Sequence, residues 1–134
     1  SVVPFPEAIE TARLLAGAGF TLAIASGSYR ADIEAILDAH DVRDLFAAVV
    51  GKDAIERFKP YPETYLATCA ELRIPPARCV AVEDAEKGVR SARAAGIPVI
   101  LVETAITRGL AIDGADLALG GVAELRDLLR KILA

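Results

Sequence analysis

The sequence predicts a doubly wound α/β domain, in which a parallel sheet is covered by helices on both faces. Short apolar runs alternate along the chain with segments whose apolar residues recur at helical spacing. The runs are apolar at successive positions, as is typical of parallel strands buried on both faces. We expect right-handed crossovers and a single domain over residues 1–134, because this length suits one hydrophobic core.

The first half of the chain gives two strands and two helices before the central loop. The first helix opens at Pro6-Glu7 and stops at Gly17 and Gly19, since proline favours the first helical turn and glycine follows the last. The run at 21–25 is the first strand and ends in a Gly/Ser turn. A helix over 29–40 and a strand over 45–51 follow it.

The second half repeats this alternation. A helix over 62–74 ends before Pro75-Pro76, because proline cannot continue it. The remaining elements are a strand at 78–83, a helix at 85–95 that ends at Gly96, a strand at 97–103, a weaker strand at 115–120 and a closing helix marked by Leu125, Leu128, Leu129 and Ile132.

Composition excludes several classes of function. The formal net charge of −4 argues against nucleic-acid binding, which needs a basic surface. No apolar run approaches the roughly 18–20 residues that span a membrane. We expect no signal peptide, because no basic-then-apolar segment opens the given sequence. Cys69 and Cys79 lack metal or redox spacing, so buried free thiols in a reducing cytoplasm are the prediction, with a disulfide as the alternative.

Three polar clusters fall at or near the carboxyl ends of the predicted strands, where ligands bind in such sheets. The first is Ser26-Gly27-Ser28, a hydroxyl and backbone N–H groups before a helix, which is an anion site or an ordinary N-cap at Ser28. The second is Lys59, which is followed by Pro60 and Pro62 before a helix. It neutralises a phosphate, holds an acidic side chain or is a solvated surface lysine.

The third cluster is the acid pair Glu83 and Asp84, directly after an apolar strand. Neighbouring carboxylates repel, and Mg²⁺ takes one or two carboxylates together with water and substrate phosphate oxygens. The alternative is an acidic first helical turn, which the helix dipole favours by about 0.3–1 kcal/mol per group. Asp84 alone fits that alternative, and two adjacent acids fit it less well.

Together and in this order, the clusters resemble the haloacid dehalogenase-like (HAD) hydrolase superfamily, in the branch of phosphoglycolate phosphatase and β-phosphoglucomutase. The matching segments are "LAIASGS", "KPYPETYL" and "AVEDAEKGVRSARAAGIPVILV". The sequence departs from the family pattern at Glu63, where aspartate is usual, and at Phe58, where glycine is common. The resemblance implies a Rossmann-like HAD core and a small phosphorylated metabolite as substrate.

The resemblance also implies roles for the site residues. Ser26 is expected to hydrogen-bond the transferring phosphoryl group, with help from the backbone N–H groups of Gly27 and Ser28, and Lys59 to stabilise its charge. Asp84 is expected to bind Mg²⁺, with Glu83 assisting directly or through a water.

The first family motif, Asp-x-Asp at the end of an N-terminal strand, is absent from residues 1–134, as is the cap. In that family its first aspartate is the nucleophile, and its strand lies between the strands that carry the second motif, here "LAIASGS", and the fourth, here "AVEDAEKGVRSARAAGIPVILV". Four candidates could supply the missing strand: Val2-Val3, a swapped segment, a partner chain or the rest of a longer protein. The alternative function is a non-catalytic phosphate- or Mg²⁺-binding module, or a partner that accepts a strand.

Overall fold

The computed structural model describes residues 6–103 and 114–133, and the predicted order of helices and strands is confirmed there. Three 3-10 helices, at Arg43–Leu45, Lys52–Ala54 and Pro76–Arg78, lie in the connections. The elements are α1 (Pro6–Gly17), β1 (Leu22–Ala25), α2 (Arg30–Ala39), β2 (Phe46–Val50), α3 (Glu63–Leu72), β3 (Ala81–Glu83), α4 (Glu86–Ala94), β4 (Val99–Val102), β5 (Leu117–Leu119) and α5 (Val122–Leu133).

Two helices are each followed by a residue with a positive φ angle that ends the helix. After α3, Arg73 adopts the left-handed conformation with φ of 58°, and its N–H bonds the carbonyl of Ala70. After α4, Gly96 takes φ of 80°, a conformation that glycine adopts without a Cβ clash. Both ends return the chain toward the next strand.

The strands are parallel, but they form two sheets where the sequence predicted one. β1 pairs with β2, and β3 pairs with β4, which pairs with β5. Among the described residues, no strand pairing joins β1 to β3. The parallel α/β class is confirmed, and the break falls where the resemblance places the absent first strand.

Helices cover both faces of the strands. One buried cluster joins α3 and α4 to β3 and β4, with Ala25 of β1 packed against it. On the opposite face, one cluster joins α2 to β2 and a separate cluster joins α5 to β4 and β5. β4 shows the expected alternation, since Val99 and Leu101 belong to the first face and Val102 to the second.

An apolar surface is open at the break between the sheets. Val82, in the middle of β3, is 46% exposed, and Phe20 and Val80, just before β1 and β3, are also exposed. Parallel strands normally have both faces covered, so these exposed apolar side chains mark incomplete packing beside the break. The prediction that Val2-Val3 fill the break lies outside the described residues.

The lengths and compositions of the helices bear on whether the chain could cross a membrane. None of the helices among residues 6–103 and 114–133 combines the length and the apolarity that crossing a bilayer requires.

Candidate functional site

Lys59 spans the break between the two sheets at their carboxyl ends. Its Nζ donates to the carbonyl oxygen of Ala25, the last residue of β1, at 3.1 Å. The same Nζ donates to Glu83 Oε2, at the end of β3, at 2.7 Å. Because Ser26 and Asp84 directly follow these two strands, all three predicted clusters meet at this edge.

The Ser26-Gly27-Ser28 turn is held against β2. The N–H of Ser26 donates to the carbonyl of Val50 at 3.0 Å, and the N–H of Ser28 donates to Ser26 Oγ at 3.1 Å. Ser28 is not the N-cap of α2, since that position is Tyr29, which makes no side-chain capping bond. The Ser28 N–H is thus taken, while that of Gly27 has no acceptor among the described residues.

Gly51, after β2, lets the neighbouring loop approach this turn. An added Cβ would lie 2.7 Å from the carbonyl oxygen of Ser28, so only glycine fits there. The N–H of Lys52 donates to that same carbonyl at 2.9 Å, and Nζ of Lys52 lies 4.1 Å from the ring centre of Tyr29. The N–H of Arg30 donates to Asp53 Oδ1 at 3.0 Å. Hydrogen bonds and packing from the loop after β2 therefore hold the Ser26-Gly27-Ser28 turn in place.

Glu83 is buried, and sequence reasoning missed its second partner, Tyr65 of α3. The hydroxyl of Tyr65 donates to Glu83 Oε2, the same oxygen that accepts from Lys59. Burial raises the pKa of Tyr65, and the nearby negative charge of Glu83 raises it further. The spacing of Tyr65 in the predicted helix over 62–74 gives no sign of this contact, although a buried tyrosine hydroxyl needs a polar partner.

Gly88 of α4 makes room for the Glu83 carboxylate. A Cβ on Gly88 would overlap Glu83 Oε1, so any larger residue must displace that carboxylate. The glycine therefore belongs to the site, although it lies four residues after Asp84 on a helix.

The loop that carries Lys59 is held by hydrogen bonds on both sides of this residue. Glu63 accepts the N–H of Glu56 at 2.8 Å and that of Arg57 at 3.0 Å, and these two bonds lower the pKa of Glu63. Ser91 of α4, fully buried, donates its hydroxyl to the carbonyl of Tyr61 at 2.6 Å. Glu63, where the family usually has aspartate, thus still holds the loop.

The acid pair meets part of the requirement of Mg²⁺. The side chain of Asp84 is exposed and follows β3, whereas Oε2 of Glu83 is engaged by Lys59 and Tyr65. Residues 6–103 and 114–133 contain no group of three His, Cys, Asp or Glu side chains placed to hold a metal. Mg²⁺ commonly takes one or two carboxylates and fills its other positions with water and phosphate. The donors present fit such a partial site, with Asp84 as the free ligand.

A shallow surface cavity of about 700 Å³ lies beside the Lys59 loop. Its lining includes Arg57, Tyr61 and Leu66, but none of the residues predicted for the site. The site itself is the polar edge at the ends of β1 and β3.

Comparisons with known proteins give the family. The sequence model of the haloacid dehalogenase-like hydrolases matches residues 1–96. Protein CbbY of Rhodobacter capsulatus is 39% identical over 101 residues, which cover 73% of this chain and 44% of CbbY. Fructose-1-phosphate phosphatase YqaB of Escherichia coli is 38% identical over 79 residues, covering 59% of this chain and 42% of YqaB.

Solved structures agree with this result. CbbY from Rhodobacter sphaeroides, in complex with phosphate, superimposes with a TM-score of 0.81 at 32% identity, over 90% of this chain and 55% of that one. The chain spans about half the length of these relatives. Its fold, its three polar segments and the match over residues 1–96 show that the chain belongs to the haloacid dehalogenase-like hydrolases, in the branch similar to phosphoglycolate phosphatase and β-phosphoglucomutase.

Proposed function

We propose that this chain forms most of the core of a phosphatase or phosphomutase that acts on a small phosphorylated metabolite. The observation that carries the proposal is the position of Lys59, which joins the ends of β1 and β3 beside Ser26 and Asp84. The names of two relatives, a fructose-1-phosphate phosphatase and a hexitol phosphatase, support a sugar phosphate as the class of substrate.

Lys59 and Ser26 retain the donors that a phosphoryl group needs. An ammonium group has three N–H donors, and two of those on Lys59 are engaged by Ala25 and Glu83. The third serves an oxygen of the transferring phosphoryl group. Ser26 Oγ accepts from the N–H of Ser28, which leaves its own hydroxyl hydrogen to donate. Donors fixed in advance at this edge stabilise the charge that develops during transfer.

The nucleophile in this proposal is an aspartate at the end of an added strand between β1 and β3. Its carboxylate oxygen attacks phosphorus, the bond from phosphorus to the metabolite oxygen breaks, and the leaving alkoxide takes a proton from a general acid. In a phosphatase, the conjugate base of that acid then takes a proton from water, whose oxygen attacks the phosphorus of the phospho-aspartate and releases phosphate and the free carboxylate. Lys59, in the loop before α3, contacts the ends of β1 and β3, between which this aspartate would lie.

Mg²⁺ would be held by Asp84, and when bound it supplies positive charge to the phosphate and to the carboxylates around it. Glu83 contributes by orienting Lys59, through the hydrogen bond to its Nζ at 2.7 Å.

The test is Mg²⁺-dependent phosphate release from a panel of sugar phosphates and phosphoglycolate. This chain alone is expected to release none, and a version extended upstream through an Asp-x-Asp strand is expected to turn over. In the extended version, Asp84→Asn and Lys59→Ala should each abolish release, whereas Asp44→Asn and Lys131→Ala, on exposed side chains outside the site, should leave it unchanged. Release by the extended version that survives Asp84→Asn would overturn the assignment.

A non-catalytic phosphate-binding module is the second candidate. It is favoured by the incomplete metal donor set of the described residues. If the extended version does not turn over but this chain still binds inorganic phosphate, and Lys59→Ala removes that binding, this candidate is correct.

A further inference from the structure

A pair of thiols lies close together outside the proposed phosphoryl-transfer residues. Cys69 is on the buried face of α3, and Cys79 lies just before β3. Both thiols are free, and their sulfur atoms are 3.8 Å apart. A disulfide needs about 2.05 Å between its sulfurs, so an approach of about 1.8 Å would be enough to form one. The sequence separation of ten residues gave no sign of this proximity.

The two thiols differ in exposure, which sets the order in which they can react. Cys69 is buried, whereas Cys79 is only partly buried, with its sulfur 3.6 Å from the carbonyl oxygen of Pro75. The expectation that both thiols are buried was therefore wrong for Cys79. Burial raises the pKa of the Cys69 thiol to about 11, and its hydrogen bond to Cys79 adds to this rise. A reagent in solution thus meets Cys79 first.

We propose that Cys69 and Cys79 are a site of thiol–disulfide exchange, at which a low-molecular-weight disulfide such as oxidised glutathione converts them to an intramolecular disulfide. The thiolate of Cys79 attacks one glutathione sulfur, the sulfur–sulfur bond breaks, and the departing glutathione thiolate takes a proton from solvent. Cys69 then loses its proton and attacks the Cys79 sulfur, which releases the second glutathione as a thiol. Two electrons pass from the protein to the oxidant, and no other reactant is needed.

This bond would link two elements that carry side chains of the site. Cys69 lies one helical turn after Tyr65, and Cys79 lies four residues before Glu83. Tyr65 and Glu83 are hydrogen-bonded across the same packing interface. The disulfide therefore fixes α3 against β3 at a point next to the contact that orients Glu83.

The test is oxidation of this chain by oxidised glutathione, followed by alkylation and mass spectrometry. The expected product is a monomer that has lost about 2 Da and no longer reacts with the alkylating reagent. Its melting temperature should rise by about 5–10 °C, because a short loop is closed in the unfolded chain. Dithiothreitol should reverse both changes. A stable mixed disulfide with glutathione, seen as a mass gain of about 305 Da, as the sole product would overturn the proposal, and so would a disulfide-linked dimer.

Matched variants and an unfolded control separate this geometry from chance reactivity. Cys69→Ala should stop at the mixed disulfide on Cys79, and Cys79→Ser should react much more slowly than the parent chain. The parent chain itself gives the control that needs no substitution. The equilibrium constant for disulfide formation should be at least about tenfold larger in buffer than in concentrated urea, since native packing holds the sulfurs together. An equal or smaller constant in buffer would contradict the proposal.

Discussion

The ammonium group of Lys59 and the carboxylate of Glu83 lie 2.7 Å apart, and their side chains are 19% and 9% exposed. Removing one partner from such a pair leaves a charge without compensation in a poorly hydrated place, and this costs more than the pair itself contributes. Tyr65 supplies Glu83 with one further hydrogen bond, but no positive charge. At the scale of single residues, the stability of the site edge therefore depends on keeping Lys59 and Glu83 together.

Lys59→Met should destabilise the chain by about 2–4 kcal/mol, because Glu83 then keeps its charge beside Tyr65 alone. The double variant Lys59→Met/Glu83→Gln should lose clearly less than the single one, since no buried charge remains. Urea unfolding of both variants measures this. Lys131→Met, on the exposed end of α5, is the control and should change stability by less than about 0.5 kcal/mol. A double variant that is less stable than Lys59→Met would contradict the argument.

Gly88→Ala tests the close approach between α4 and Glu83. Alanine is the better helix former by about 1 kcal/mol, so propensity alone predicts stabilisation. Because the new Cβ would overlap Glu83 Oε1, we expect instead a loss of about 2–4 kcal/mol in the unfolding free energy.

Gly27→Ala is the control for Gly88→Ala, because its Cβ would meet nothing within 4 Å. It should change stability by less than about 1 kcal/mol. In a chain that already carries Glu83→Ala the overlap is absent, so adding Gly88→Ala should leave the stability of that variant nearly unchanged. If Gly88→Ala is as harmless as the control, the carboxylate does not lie against the helix.

At the scale of elements, the periodicity of apolar residues predicted every described α-helix and strand, because burial decides that pattern, but it did not predict the three 3-10 helices in the connections. The contacts between elements were less predictable. Tyr65 has the same spacing as its apolar neighbours on α3, and nothing local indicates that its hydroxyl meets Glu83, 18 residues later. Likewise, the N–H of Ser28 was expected to bind an anion, but Ser26 Oγ already accepts it. Such pairings depend on how separate elements pack.

Glu63 couples the start of α3 to the loop that carries Lys59, and this coupling should depend on pH. Its pKa lies below the ordinary value of 4.5 in the folded chain, chiefly because it accepts the N–H groups of Glu56 and Arg57. The stabilisation is therefore complete above pH 4.5 and is lost as pH falls through the lower folded value. Glu63→Gln should flatten this acid limb of the stability curve measured by urea unfolding.

Asp44→Asn provides the matched control, since it removes an exposed carboxylate outside the loop. Its stability curve should keep the acid limb of the parent chain. If Glu63→Gln and the parent chain lose stability in parallel below pH 4.5, Glu63 does not hold the loop through its charge.

At the scale of the whole molecule, the strands described in residues 6–103 and 114–133 are divided between β1 and β3. The face built by α3 and α4 is continuous across this division, because Ala25 packs with the cluster that contains Ala81. On the opposite face the two buried clusters are separate and Val82 is exposed, while α1 and α5 contact each other there through the ion pair of Glu10 with Arg130. An additional parallel strand between β1 and β3 would join the two sheets and cover the opening. The family resemblance indicated this place, while the composition of the chain did not.

Amide hydrogen exchange tests this division residue by residue. The N–H of Ser26 donates to β2 and that of Ala81 to the residue before β4, so by the alternation of strands the N–H groups of Ala25 and Val82 point into the break. In this chain alone, the amides of Ala25 and Val82 should exchange at least about 100-fold faster than those of Ser26 and Ala81. In a version extended through the added strand, all four should be slow. Slow exchange at Ala25 and Val82 without the extension would mean that their N–H groups are already bonded, and then no strand is needed to complete the sheet.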